Sequence, residues 1–404
     1  LPGVTTEAGS PAGSAESDAA PHLAFIDALR GWAFLAVLVV HVQRLARLPK
    51  SLAGIGGAAN FGVQLFFVAS ALTLFMSYAS RIGRDSRPLA AFLARRLFRI
   101  APLFWLAIPS YVWLSGTGPG EMAPLGIHLR QISATALFVH GWSPSSINAV
   151  VPGGWSIAVE MNFYLLLPIC FTFLTNLRRA LAAVAIAFPA SIAVSVLARR
   201  ALAGSWPESA IVNFTYYWLP RQFPVFLLGF VLYFLIRGRS RGAAGSAVAR
   251  GPGAVPAEAV AAVLVLAALF TPRIPMAYFW FSCGFVWLAF ALSQRPSALL
   301  VNRFTRYVGK VSYSAYITHF LVIEIVSRLR GEAGAGSQSP LSSTLKFGAF
   351  YLLCAAGTLL FATVTHRLVE VPGQDWGRAF IRRMGWGPAK AAGVSRPRPA
   401  ASGG

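Results

Sequence analysis

The sequence predicts an all-α fold: a polytopic transmembrane bundle of about ten spans with both termini cytoplasmic. Three observations carry this. Charged residues make up 12% of the 404 positions, half the ~25% of an ordinary soluble chain. Mean hydropathy is +0.61. Runs near 20 apolar residues recur along the chain, the length that crosses a ~30 Å hydrocarbon core as a helix. A soluble α/β enzyme with a rich core would not repeat such runs so often.

The chain opens on LPGVTTEAGSPAGSAESDAAP. It lacks the basic-then-apolar pattern of a signal peptide, and residues 1–22 are expected to form a disordered tail. The transmembrane domain follows over 23–384, and 385–404 is again expected to be a disordered tail. Candidate spans lie at roughly 25–45, 60–80, 97–115, 156–175, 180–198, 217–236, 257–272, 275–293, 311–328 and 344–366. A weaker run at about 131–140 is too short to cross alone. With the N-terminus inside, about 24 of the 35 Lys and Arg residues fall on the cytoplasmic side, as the positive-inside rule expects. Making 131–140 a full span would turn the basic stretch 237–250 outward. That stretch belongs to RGRSRGAAGSAVARGPGAVP, expected to be a flexible basic linker. There is no internal repeat, which disfavours repeat-built transporter folds.

The net charge of +22 would suggest nucleic acid in a soluble protein. Here the basic residues sit in short segments between apolar runs, so nucleic-acid binding is not expected. Cys170, Cys283 and Cys354 lie inside apolar runs. An odd number without ligand spacing predicts neither a disulfide framework nor a metal site.

Ionisable groups at membrane depth are costly, so each is a functional candidate. They are His41, Glu160, His319 and Glu324, with Asp27 and Arg30 at the mouth of the first span. Arg30 and His41 are eleven residues apart, about 16 Å of helix, which would put His41 near mid-membrane if Arg30 marks the interface. A neutral imidazole there suits a general base acting on a hydroxyl; the plainer alternative is a histidine bonding between helices. A buried Glu160 could orient a histidine or hold its proton. The run FLARRLFRIAP carries Arg95, Arg96 and Arg99. Snorkelling arginines marking topology would look the same, but guanidinium forks also suit the diphosphate and 3′-phosphate of coenzyme A.

These residues fall in an order that resembles the acyltransferase-3 family of bacterial integral-membrane O-acyltransferases. FIDALRGWAFLAVLVVHV carries an Arg-x10-His pattern at Arg30 and His41, and VQLFFVASALTLF is similar to the family's Phe-rich second helix. RRLFRIAP supplies Arg95, Arg96, Arg99 and Pro102. GGWSIAVEMNFYLLLP matches a Trp-Ser-x-x-x-Glu-x-x-Phe-Tyr block at Trp155, Ser156, Glu160, Phe163 and Tyr164. VGKVSYSAYITHFLVI provides Ser312, Tyr313, Tyr316 and His319, and HRLVEVPGQDW a closing Glu-x-Pro at Glu370 and Pro372. Two departures stand out. Ser70-Ala71 replaces the usual Ser-Gly. Met161 and Asn162 follow Glu160, which leaves it as the lone carboxylate of its block.

The resemblance implies a membrane-bound O-acyltransferase with no tightly bound cofactor. Its donor would be acyl-CoA, expected to be acetyl-CoA, and its acceptor a hydroxyl of a glycan or glycosylated small molecule. It implies catalytic roles for His41 and Glu160, and donor-phosphate contacts for Arg30, Arg95, Arg96 and Arg99. Acceptor or oxyanion contacts would come from Trp155, Ser156, Tyr164, Tyr313 and His319. The site would lie in the cytoplasmic (inner) membrane of a bacterium. The competing expectation is a proton-coupled transporter or flippase using the same buried groups as a relay.

Overall fold

The computed structural model describes residues 20–120, 123, 125–243, 255–295, 297–330 and 340–388. The expected tail at 1–22 lies outside the described residues except for its last three. So do the tail from 389 onward and most of the 237–256 linker. Among the described residues there is no strand, only two isolated bridges. The described residues form fifteen helices in order: α1 (Ala20–Val42), α2 (Ala53–Ala59), α3 (Gly62–Ala79), α4 (Pro88–Ser115), α5 (Leu129–Ala136), α6 (Trp155–Phe173), α7 (Leu177–Leu202), α8 (Glu208–Tyr217), α9 (Leu219–Ala243), α10 (Ala257–Leu269), α11 (Ala277–Gln294), α12 (Arg303–Lys310), α13 (Ser312–Arg330), α14 (Pro340–Thr365) and α15 (Val371–Arg383). A π-helical turn, His366–Glu370, joins α14 to α15.

Eight helical segments among the described residues are long and apolar enough to cross a membrane. They coincide with eight of the ten expected spans. The other two are also helices: α10, a shorter apolar one, and α13. The 131–140 segment contains only the short α5 and a turn. The chain is an integral membrane protein with an all-α polytopic fold. Its side chains agree. α7 buries only 17% of its most apolar window and exposes Ile186, Leu197 and Leu181, a surface that only lipid covers at low cost.

The chain divides into two compact units. The first comprises Leu1–Ala71, Asn176–Ser191 and Gln222–Thr363. Its centre is the crossing of α1 and α12. α12 starts on a reciprocal cap: the Asn302 Oδ1 accepts from the Thr305 amide at 3.0 Å, and the Thr305 hydroxyl oxygen accepts from the Asn302 amide at 3.1 Å. Gly31 of α1 faces the Thr305 carbonyl, and Gly309 of α12 faces that of Asp27, so the two backbones touch. Small residues permit such approach where lipid supplies no hydrophobic drive between helices. Phe34, Leu38, Val308, Val311, Ile323 and Phe347 pack the core around this crossing. Trp32 donates to the Leu300 carbonyl at 2.9 Å and Tyr351 to that of Leu35 at 3.1 Å.

The second unit comprises Leu72–Thr175, Ile192–Arg221 and Val364–Gly404. Here α4 and α15 pack through Gly373 and Gly377, which lie against Phe98 and Pro102. The stretch before α4 is tied to the end of α15: the Ser86 amide donates to the Gly387 carbonyl at 3.0 Å.

Candidate active site

In the first unit, α1 runs unbroken through both residues of the Arg-x10-His pattern. At 3.6 residues per turn, eleven residues return to the same face within about 20°, three turns and ~16 Å on. Arg30 and His41 therefore share a face with Phe34. The apolar segment is Ala24–Val42, so Arg30 lies about 9 Å inside it and His41 occupies the last turn. The residues before Arg30 continue the apolar helix rather than preceding it.

His41 meets His319 of α13, with ring centroids 5.2 Å apart. Phe320 packs on both, at 4.3 Å from His41 and 4.2 Å from His319. Phe34 stands edge-on to His319 at 6.2 Å, and Phe66 edge-on to Tyr316 at 6.0 Å. Arg44 lies over the Phe320 ring at 5.7 Å. His41 is half-buried, whereas His319 is 0% exposed. The His319 Nδ1 lies 2.6 Å from the Tyr316 carbonyl. A carbonyl only accepts, so Nδ1 carries the proton and Nε2 of the neutral ring presents a lone pair. That Nε2 is buried and meets no hydrogen-bond partner. Tyr313, half-buried, stands in the first turn of α13.

The second unit holds Glu160 and the three arginines of α4. Arg95 is already engaged: its Nη2 donates to Asp85 Oδ2 at 2.7 Å, and the Asp85 side chain is 1% exposed. Arg99 Nε lies 3.9 Å from Glu370 Oε1. Glu370 is buried in the π turn, where Oε2 accepts from His366 Nδ1 at 2.9 Å and Oε1 from Gln374 Nε2 at 3.3 Å. Single π turns inside α-helices recur at functional sites. The Arg96 guanidinium sits over Phe92 at 5.6 Å. Tyr164, one turn after Glu160, is buried, hydrogen-bonds the Glu160 carboxylate, and feels the charges of Arg96 and Arg99.

The remaining members of the Trp-Ser block are pinned inward. Trp155 and Ser156 are buried. Trp155 packs on Tyr217 at 4.5 Å, and the Ser156 hydroxyl donates to the Gly153 carbonyl at 3.1 Å. Asn162 ties down the segment before α6: its Nδ2 donates to the Phe138 and Ala158 carbonyls at 2.9 and 2.7 Å, and its Oδ1 accepts from Trp142 at 3.1 Å. Phe138 sits at φ 60°, a left-handed conformation costly for an aromatic residue, and this bond helps to hold it. His140, stacked on Phe104, bonds the Gly154 carbonyl through Nε2 at 3.0 Å. Burial pushes its imidazole down to about 4, so it is neutral at physiological pH and Nε2–H donates.

Sequence reasoning passed over Asp85, His140, His366 and the anchoring role of Asn162. Only Asn162 carried a signal, as a departure within a motif. Asp85 looked like one acid in a basic loop, and His140 belonged to the run too short to span.

A model of the acyltransferase domain matches residues 23–367. The chain belongs to the acyltransferase-3 family. It is thus an acyl-transferring enzyme of the membrane. The acyltransferase MdmB of Streptomyces mycarofaciens is 27% identical over 382 residues, covering 85% of this chain and 89% of that protein. The exopolysaccharide production protein ExoZ of Rhizobium meliloti (strain 1021) is 37% identical over 110 residues, 27% of this chain and 32% of its own. No solved structure matches.

Proposed function

We propose that this family member transfers an acyl group, acetyl in the first instance, from cytoplasmic acyl-CoA to a hydroxyl of a glycan or glycosylated metabolite. His41 is the general base. The acceptor oxygen attacks the thioester carbonyl while its proton passes to His41. The carbon–sulfur bond breaks, and the protonated imidazole returns that proton to the departing CoA thiolate. Arg30, Arg95, Arg96 and Arg99 are the candidate contacts for the donor's phosphates. Glu160 is a second catalytic candidate, and Trp155, Ser156, Tyr164, Tyr313 and His319 are candidates for shaping the acceptor or oxyanion pocket. The Lys and Arg distribution supports a bacterial cytoplasmic membrane with both termini inside.

The observation that carries this reading is the shared face of α1. A guanidinium and an imidazole stand about 16 Å apart on one rigid helix, a separation that an extended pantetheine arm covers between its diphosphate and its thioester. The name of ExoZ supports a polysaccharide acceptor. The test is CoA release by the purified protein supplied with acetyl-CoA and an acceptor glycan. Wild type should release CoA in step with acceptor ester, and His41→Ala should fall by at least about 100-fold. Equal release by the variant would remove His41 from the mechanism. Acceptor movement across a vesicle without CoA release would replace the reaction itself by transport.

A further inference from the structure

The two histidines differ in a way that assigns them different duties. His41 is part-exposed at the end of α1. His319 stands behind it, wholly buried, with its ring 5.2 Å away. Two features of His319 need a common cause. Its Nδ1–H is committed to the Tyr316 carbonyl at 2.6 Å, which fixes both the tautomer and the ring plane. Its Nε2 lone pair is left without a hydrogen-bond partner, and a buried acceptor without a donor is destabilising. Phe34, Phe320 and Tyr316 pack their aromatic rings around it. The charged neighbour is Arg44, which lies over Phe320. His41 is the remaining nitrogen donor of this cluster.

We propose that His319 is a positioning residue for His41. Its Nε2 accepts an N–H from His41 in the working state and so directs the other His41 nitrogen, with its lone pair, at the acceptor hydroxyl. The line runs from the Tyr316 carbonyl to His319 Nδ1–H, through the ring to Nε2, and on to His41 N–H. A base needs a third group to hold its tautomer and orientation. Here a neutral imidazole anchored on a backbone carbonyl fills the place that a carboxylate takes elsewhere. Such an orienter suits apolar surroundings, because the resting pair carries no net charge to desolvate. The inference rests on the acyl-transfer reading, and it takes His319 out of the acceptor contacts and puts it behind the base.

Three variants and one spectroscopic readout test it. His319→Leu fills the space without an acceptor, His319→Gln restores an acceptor oxygen, and His41→Ala removes the base. His319→Leu should lower kcat at least about tenfold with the donor KM unchanged, and His319→Gln should recover a good part of that loss. Wild-type kcat in His319→Leu, or equal losses in the Leu and Gln variants, would overturn the proposal. Nitrogen-15 spectra of histidine-labelled protein in detergent provide a readout independent of turnover. The His319 Nε2 resonance should move in His41→Ala, and an unmoved resonance overturns the pairing even if wild type proves inactive. A wild type that consumes no acyl-CoA, yet shows that shift, refutes the acyl-CoA reading and keeps the pair.

Discussion

Replacing Gly309 by alanine tests whether the α1–α12 crossing sets the position of His41, the proposed base. A Cβ at Gly309 would stand 1.7 Å from the Asp27 carbonyl oxygen. Carbon and oxygen need about 3 Å, so the helices would have to part locally by roughly 1.3 Å in an interior packed as densely as a crystal. Nothing soft lies in the way, because the obstructing atoms are backbone. Gly31 makes the reciprocal contact with the Thr305 carbonyl, so α1 cannot escape by sliding along α12 without a second clash. Overpacking of this kind costs about 1–3 kcal/mol. A displacement near 1 Å at a catalytic group lowers rate by about 100-fold. Gly309→Ala should therefore lower the thermal midpoint in detergent by several degrees and kcat far more than the donor KM. Wild-type melting and turnover would refute the crossing as drawn. Loss of stability with full turnover would refute the claim that α12 positions the α1 face bearing Arg30 and His41.

Two further outcomes follow from the second unit. His140 is held near 4 against an ordinary 6.5, so the unfolded chain takes up the proton first. The contribution is fully present above about 6.5 and is lost as pH falls towards 4, up to about 3 kcal/mol. Melting curves between pH 7 and pH 4.5 should show a smaller acid loss in His140→Phe than in wild type, and parallel losses would refute the assignment. Glu370→Ala leaves His366, Gln374 and Arg99 without their shared carboxylate and should cost about 3–5 kcal/mol. Glu370→Gln, keeping the shape and one acceptor, should cost clearly less, and equal costs would refute the ion-pair account.

The sequence displayed the fold through hydropathy, and the helices of the structure lie on all ten expected spans. It was less informative where one residue does two jobs. Arg30 read as an interface marker because arginine is dear in lipid, and the helix that carries it starts ten residues earlier, at Ala20. His41 was legible as an ionisable group in an apolar run, and the structure places it in the last turn of α1. The pairing of His41 with His319 was not legible, since nothing in one sequence says that α1 and α13 touch. The carboxylate partners of Arg95 and Arg99 were hidden for the same reason: Asp85 and Glu370 lie 10 and 271 residues away along the chain. Local chemistry reads out of a sequence. Contacts made by chain reversal do not, unless a glycine such as Gly373 or Gly377 betrays a close approach.

Those carboxylates also bear on how a donor would be held. Three guanidiniums on α4 would bind a diphosphate tightly, and with the proposed acyl-CoA donor, tight binding of donor would also be tight binding of product, because CoA would keep every phosphate after the acyl group had left. Uniform affinity of that sort lowers KM without raising kcat and slows release. Asp85 and Glu370 each offset one of the three charges. Asp85 also fixes the Arg95 guanidinium plane through its 2.7 Å hydrogen bond, which retains directional hydrogen bonding while reducing net attraction. On this view Asp85→Asn should tighten donor and product together. The donor KM and the inhibition constant of free CoA should fall in parallel, and kcat should not rise. A lower KM with an unchanged CoA constant would mean that Arg95 touches the acyl end of the donor and not its phosphates.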